Sequence, residues 1–441
     1  MIKKLCFVFV AVLTWSSYAQ QGGTTSPYSF YGIGSLKFKG TVESRSMGGI
    51  GIVADSIHVN LRNPASFGGT NLKVFNGEGR PVTFTVGGSH NTEKISTTNT
   101  SDNANATTFD YIALSFPVGK LGIGFGVLPY TSVGYRLEAT ETFQDTLLLS
   151  NRFEGEGGVN KVFFNAGYQL SKNLRVGVDV NYNFGSLQNN ALDFIYDDNG
   201  DLLQFQTRER NRSDLSGLNF NIGVLYEPMI TEKLKLTSAF RYTPKSTLSS
   251  DNERVIETVR VNPVTGFVDT SLGNSIEVNL ADDGLEKTDL TLPSQWSLGF
   301  GIGAPRKWFV GGEYTFVQTS QFNNPIFSAD NTSFVDANTI AFGGYFIPDY
   351  TSFNSYWKRI VYRAGARFEE SGLVINNEPI NEFGISFGVG LPVGRLFSNA
   401  NIGFEIGKRG TTNQNLVEEN FVNFQLSLSL NDRWFVKRKY N

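Results

Sequence analysis

The stretch NLRVGVDVNYNFG, residues 173–185, decides the fold. Leu174, Val176, Val178, Val180, Tyr182 and Phe184 share one parity. Arg175, Gly177, Asp179, Asn181, Asn183 and Gly185 share the other. Successive side chains of a β-strand point to opposite faces, so this period of two makes a ribbon with one apolar side and one polar side.

Outward from this stretch, the pattern recurs. Val162, Phe164, Ala166 and Tyr168 oppose Lys161, Asn165 and Gln169. Leu234, Leu236, Phe240 and Tyr242 oppose Lys235, Thr237 and Arg241. Phe383, Ile385, Phe387, Val389 and Leu391 oppose Gly384, Ser386, Gly388 and Gly390. A soluble antiparallel sandwich alternates too. Three features point instead to a barrel in a membrane. The strands are uniform, close to the length of about nine to eleven residues that crosses a bilayer at a tilt. Charge sits in mid-strand on the polar face. The connections alternate between short turns, such as 117–120 and 303–307, and long segments near 89–106, 137–158, 186–212, 245–290, 318–336, 370–381 and 409–419. Short turns on one side and long loops on the other are the plan of an outer-membrane barrel, with the long loops outside the cell. The expected fold is all-β: a transmembrane antiparallel β-barrel of about fourteen strands, closed because only closure satisfies every backbone group in lipid.

The address agrees. Lys3 and Lys4 precede an apolar run, Leu5–Trp15, and Ser17-Tyr18-Ala19 fits a small-residue cleavage site, so residues 1–19 read as a signal peptide. The run is too short to span a bilayer as a helix. The single cysteine, Cys6, leaves with it, which excludes a disulfide framework and thiolate metal sites. Losing Lys3 and Lys4 takes the net charge from −3 to −5, and with no basic stripe the chain is not expected to bind nucleic acid. The barrel is expected over 80–435, with a basic tail at 436–441 after Trp434-Phe435. Aromatics at strand ends, among them Tyr111, Tyr135, Tyr168, Tyr226, Tyr242 and Trp357, suit an interfacial girdle.

A barrel this wide cannot fill itself with its own side chains, so it holds water or a plug. Residues 20–79 precede the first strand and are long enough to be one. They contain SMGGIGIVADSIHVNLRNPASFGG, residues 46–69, glycine-rich at both ends and weakly helical between. The small-residue run Gly48, Gly49 and Gly51, the step Ala54-Asp55 and the triplet Asn63-Pro64-Ala65 resemble the N-terminal hatch of the FadL/TodX family. Those are outer-membrane transporters of long-chain fatty acids and other hydrophobic compounds. The resemblance implies a hatch at these residues; His58–Arg62 is more polar than the family's usual helix there. The Asn- and Phe-rich composition suggests a Bacteroidota-type source.

The third strand reads LGIGFGVLPYTSVGY, residues 121–135, with Pro129 inside it. Proline removes a ladder donor and is normally excluded from a paired strand interior. Leu121, Ile123, Phe125 and Val127 share parity with Val133 and Tyr135, so the strand is expected to continue past Pro129, with a kink or bulge there that either opens a gap in the wall or is a tolerated bulge near the rim. In the resembled family a kink in this strand lets hydrophobic substrate leave sideways. The lumen-side charges Arg175, Asp179, Lys235, Arg241, Glu313, Arg363, Arg367 and Glu405 carry both signs and are expected to pair with one another and with the plug, because an enclosed charge without a partner is costly.

No cofactor, metal site or catalytic residue is expected. His58 and His90 are the only histidines, and no Ser-His-Asp constellation is visible. YDDNGDL at 196–202 fails as a calcium loop, because Leu202 and Arg208 occupy the glycine and twelfth places; it reads as a hairpin at Asn199-Gly200. VNPVTGFVDT at 261–270 reads as a second hairpin. Two functions remain. One is uptake of a hydrophobic small-molecule ligand into the lipid bilayer. The other is a structural or docking role in an outer-membrane protein complex for secretion or barrel assembly. Fold alone does not separate them.

Overall fold

The computed structural model describes residues 23–69, 81–143, 146–197, 201–262, 267–271, 274–326, 331–393 and 398–432. The leader, the Asn199-Gly200 turn, Trp434-Phe435 and the basic tail lie outside the described residues.

Fourteen antiparallel strands close into a barrel. In chain order they are β1 Val82–Ser96, β2 Ser101–Val118, β3 in two runs Leu121–Pro129 and Thr131–Phe143, β4 Thr146–Gln169, β5 Leu174–Ile195 and β6 Gln206–Tyr226. Then come β7 in two runs Lys235–Thr243 and Ser246–Val261, β8 in two runs Lys287–Leu292 and Gln295–Ala304, β9 Trp308–Val317 and β10 Ala337–Phe346. The last are β11 Val361–Ile375, β12 Glu378–Pro392, β13 Asn399–Gly410 and β14 Glu418–Asp432. β14 pairs back onto β1 from Asp432↔Val82 to Glu418↔Ser96, which removes the sheet edges there.

Alternation carries straight into the wall. Val178, Tyr182 and Phe184 are exposed on the outside, where lipid covers them, and Asp179, Asn181 and Asn183 are buried inside. Phe125, Phe164, Phe220, Phe300, Phe342, Phe387 and Phe404 extend the same outward apolar band around the barrel.

Most of the expected long loops are strand. β4 runs for 24 residues, β5 for 22 and β6 for 21. Residues 89–106, 137–158 and 186–212 therefore belong largely to the ladder. Above the bilayer the outer face meets water and needs no apolar side chain, so the sequence pattern fades while the hydrogen bonds continue. Similarly, β11 and β12 meet at Asn376-Asn377, both at positive φ (51° and 64°), a two-residue turn suited to the strand twist. The hairpin expected at 261–270 is present as pairing of Arg260 with Asp269 and Val261 with Val268.

Two expectations of parity fail. Phe125 points out, yet Val133 and Tyr135 are buried inside, so the sides exchange across Pro129. Tyr111 is also fully buried rather than in an interfacial girdle. A bulge explains it: Gly87 pairs with Tyr111 and Gly88 with Phe109, leaving Asp110 extra, so Asp110 and Tyr111 both turn inward.

Residues 23–69 run through the barrel interior. They contain one helical turn, Val42–Arg45, and two 3-10 turns, Pro27–Phe30 and Pro64–Phe67. The expected weak helix within 46–69 is absent. Asp55 Oδ1 accepts from the backbone N–H of Ile57 and His58 (2.9 and 2.7 Å), and Asn60 Oδ1 accepts from those of Arg62 and Asn63 (2.9 and 3.3 Å). Such local side-chain acceptors compete with helix for the backbone donors.

Candidate functional site: the lumenal segment and the wall gap

Two rows of glycine seat the segment against the wall. Gly122, Gly167, Gly177 and Gly223 are consecutive cross-strand partners on β3, β4, β5 and β6. The turn Asn63–Gly68 lies on them: a Cβ on Gly177 would stand 2.3 Å from the Pro64 carbonyl carbon, and one on Gly122 would stand 1.8 Å from the Phe67 oxygen. Gly311, Gly343 and Gly365 make the second row on β9, β10 and β11. Met47 and Gly48 lie on Gly343 and Gly365, with a Cβ on Gly343 placed 2.1 Å from the Met47 oxygen, and Gly311 faces the Ile52 side chain. Backbone thus packs on backbone, which only glycine permits. Ile50 and Ile52 fill the space between with Leu225, Ala239, Phe309 and Ala341. Each such burial is worth about 1.5–3 kcal/mol.

The sequence-derived residues take definite places. Gly48 and Gly49 adopt positive φ (71° and 84°), and Gly48 N–H donates to Ser386 Oγ at 2.9 Å. Gly51 N–H donates to Glu313 Oε2 at 2.7 Å. Ala54 and Ala65 are buried. Asn63 caps the following turn by accepting from Ala65 N–H at 3.0 Å, and Pro64 starts that turn. Asp55 sits by His58, Oδ2 to Nδ1 at 2.6 Å. Burial opposes charge on Asp55, but His58 and the two backbone donors prevail and hold its carboxyl well below the usual carboxylate range.

The lumen charges fall into groups rather than one lining. Arg367 contacts Glu382 and Glu405, the latter at 2.9 Å; Arg45 of the segment reaches the same Glu405 at 3.0 Å and Asp110 at 3.5 Å. Glu313 receives Arg62 of the segment at 2.8 Å, and Arg241 donates to the Arg62 carbonyl at 2.8 Å. Arg175 and Lys235 share Glu227, and Arg175 also donates to the Gly68 carbonyl at 3.4 Å. Arg363 donates to Asn401 Oδ1 at 3.1 Å, and Asn401 donates to Glu43 of the segment at 2.7 Å. Asp179 accepts from Asn221 and Asn181 and makes no contact with the segment among the described hydrogen bonds.

The wall is interrupted at Pro129. β2 pairs with β3 only from Val118↔Leu121 to Ile112↔Val127. Beyond, among the described residues, Ser101–Phe109 pairs only with β1, and the second run of β3 pairs only with β4 on the barrel side. The segment takes up the free edge of β3. Ser35 and Leu36 pair antiparallel with Ser132 and Thr131, and Lys37 N–H donates to the Tyr130 carbonyl at 2.9 Å. Gly23 sits between the two edges: its Cβ would lie 2.5 Å from Ser132 Oγ and 3.8 Å from Thr108 Cγ2. Pro244 and Pro293 also break strands, yet there the ladder resumes, with Thr243↔Gln295 below and Ser246↔Leu292 above. Behind the gap lies a cavity of about 400 Å³. Phe38, Leu61, Leu128, Tyr130 and Phe163 make its apolar part; Asp179, Asn181, Asn219, Asn221 and Arg241 make a polar part. Burial lowers the Lys37 ammonium to about 8, with Asp110 opposing and Arg45 assisting.

Sequence reasoning missed the glycine rows and several charges. The glycines were visible as inward-parity positions in LGIGFG, VGVD and AFGGYF, where a side chain would otherwise sit. Glu382 shares parity with Gly384 and Ser386 and was equally readable. Arg409 and Glu419, which pair at 3.3 Å, bound residues 409–419, whose sequence predicts a loop. Among the described residues no cluster of His, Cys, Asp and Glu could hold a metal ion.

A closed, apolar-belted wall around a seated N-terminal segment defines an outer-membrane β-barrel of the FadL type. Solved structures agree on the fold. The CymD monoaromatic hydrocarbon channel is 15% identical, with 90% of this chain and 99% of that one aligned at a TM-score of 0.55. The Ralstonia pickettii toluene transporter TbuX is 16% identical over 90% and 99%, at 0.54. A Pseudomonas aeruginosa FadL homologue is 11% identical over 91% and 99%, at 0.56. No curated protein matches the sequence. The family model that matches is BamG, over residues 1–441, and the chain belongs to the BamG family.

Proposed function

We propose that the barrel gives hydrophobic compounds, such as long-chain fatty acids, a path across the outer membrane that ends sideways in the bilayer. The supporting observation is the unpaired stretch between β2 and β3, which stands next to the cavity and its apolar lining. A ligand would gather among the outer loops, pass the segment and leave near Pro129. It would move from one apolar environment to another, so the hydrophobic effect drives it without a chemical step. In this reading residues 20–79 act as a hatch. The solved neighbours named as hydrocarbon channels or transporters are consistent with it. Deleting residues 46–69 should raise permeability to small polar solutes; a deleted barrel that stays closed would show that the segment is no plug.

A second reading rests on the full-length BamG match and on the way the segment is held. Ion pairs to Glu405, Glu382 and Glu313, together with backbone seats, suit a permanently filled barrel. Such a barrel would serve as a structural or docking subunit of an outer-membrane secretion or barrel-assembly complex. Extraction of the tagged protein in mild detergent, with mass spectrometry of co-eluting proteins and lipids, separates the two. A lone barrel carrying a fatty acid or similar compound supports the path. A stoichiometric complex without ligand supports the subunit.

A further inference from the structure

On the short-turn side, one connection is longer than the rest: residues 347–360, between β10 and β11. It bears Phe353 and Trp357, which are 91% and 71% exposed. Two backbone hydrogen bonds fix its position. Ile347 N–H donates to the Lys307 carbonyl in the β8–β9 turn at 2.7 Å, and Asp349 N–H donates to the Lys358 carbonyl at 2.8 Å. Its aromatic end is tied to the outer perimeter rather than the barrel mouth. Tyr362, on the lipid face of β11, donates from Oη to the Trp357 carbonyl at 3.4 Å. Tyr356 Oη donates to the Pro392 carbonyl of β12 at 3.1 Å.

Charge accompanies the aromatics. Lys307, Lys358 and Arg359 form no ion pair among the described residues. Arg359 Nε is buried with no hydrogen-bond partner, while the guanidinium stands 5.5 Å from the Tyr356 ring centre. The one carboxylate of the excursion, Asp349, is occupied by Thr351, accepting from its hydroxyl at 2.8 Å and its backbone N–H at 3.0 Å. Cations free of acid partners beside aromatics at the level where the lipid face ends match an anionic phospholipid leaflet.

We propose that residues 347–360 and the β8–β9 turn form a docking surface for anionic phospholipid headgroups of the periplasmic leaflet, with Trp357 and Tyr356 in the interface and Lys307, Lys358 and Arg359 on the phosphates. The surface is independent of whether the barrel conducts or docks.

The test uses the full-length barrel in nanodiscs of phosphatidylcholine with phosphatidylglycerol. Native mass spectrometry reads the lipids retained, and brominated phospholipid or aqueous acrylamide quenches Trp357, isolated by difference against Trp357→Phe. Bromolipid is expected to quench Trp357. The K307Q/K358Q/R359Q variant, its folding checked by heat-modifiable gel mobility, is expected to retain at least about fivefold less phosphatidylglycerol, the effect of roughly one cation at an anionic surface. Equal retention in a folded variant overturns the headgroup assignment. Quenching of Trp357 by acrylamide alone overturns the membrane contact and leaves the excursion open to a protein partner.

Discussion

Leu36 of the lumenal segment pairs with Thr131 of the barrel wall, two residues beyond Pro129. The segment is therefore a short extra strand on the very edge that β2 leaves unpaired. This couples the filling of the lumen to the continuity of the wall.

A covalent lock tests that coupling. Ser35 and Ser132 are direct antiparallel partners, and such pairs have Cα atoms about 4.5–5.5 Å apart, within disulfide reach. S35C/S132C should oxidise to a disulfide between these two positions. If the gap conducts, oxidation abolishes uptake of a fluorescent fatty acid and reduction restores it. Unchanged uptake in the oxidised protein would remove the gap from the path.

The glycine seats predict an asymmetric response to one methyl group. Gly343→Ala places a carbon against the Met47 backbone, which cannot yield, and should loosen the segment at a cost of about 1–3 kcal/mol. Gly384→Ala meets only the end of the Glu405 side chain at 3.3 Å and should be tolerated. Limited proteolysis of the segment in the folded barrel reads the difference.

Arg45 links Glu405 on β13 to Asp110 on β2, and all three are buried. Arg45→Met should destabilise by about 3–5 kcal/mol, because it leaves the buried Asp110 carboxylate without its ion-pair partner, while Glu405 keeps Arg367. Urea unfolding followed by heat-modifiable gel mobility measures this. Little change would mean that the segment contributes little to the barrel's stability.

Lys37 supplies a pH signature. Its folded value, about 8, lies below the unfolded value near 10.4, so the folded state disfavours the proton. Folding is penalised below pH 8, and the penalty is relieved as pH rises from about 8 to about 10.4. Protection of the segment from proteolysis should increase across that window, and Lys37→Met should abolish the increase.

The barrel was legible wherever lipid imposes a rule. Val178, Tyr182 and Phe184 had to be apolar, and their alternation with Asp179, Asn181 and Asn183 marks β5 unmistakably. The outer half of β4 was not legible, since above the bilayer its outer face meets water and no apolar rule sets a period there, although Phe153 packs inward on Leu137 and Tyr135. The exchange of sides at Pro129 was hidden as well. An extra residue such as Asp110 changes parity without changing composition. Of the site, the glycines and the Asn63-Pro64 turn stood out in the chain. Their seats did not, because register across strands decides which glycines become neighbours. Arg45 and Arg62 meet wall residues far along the chain, and no local pattern announces such pairs.

The unequal strand lengths give the molecule a direction within the membrane plane. β4 has 24 residues and β9 and β10 have ten each. With about ten residues needed to cross, roughly fourteen of β4 stand clear, a rim about 35 Å high at a typical tilt. β9 and β10 barely clear the surface. A neighbour diffusing in the same leaflet would meet a high wall from one quarter and an open sill from the other. The barrel thus has a front and a back, although its belt is apolar all round.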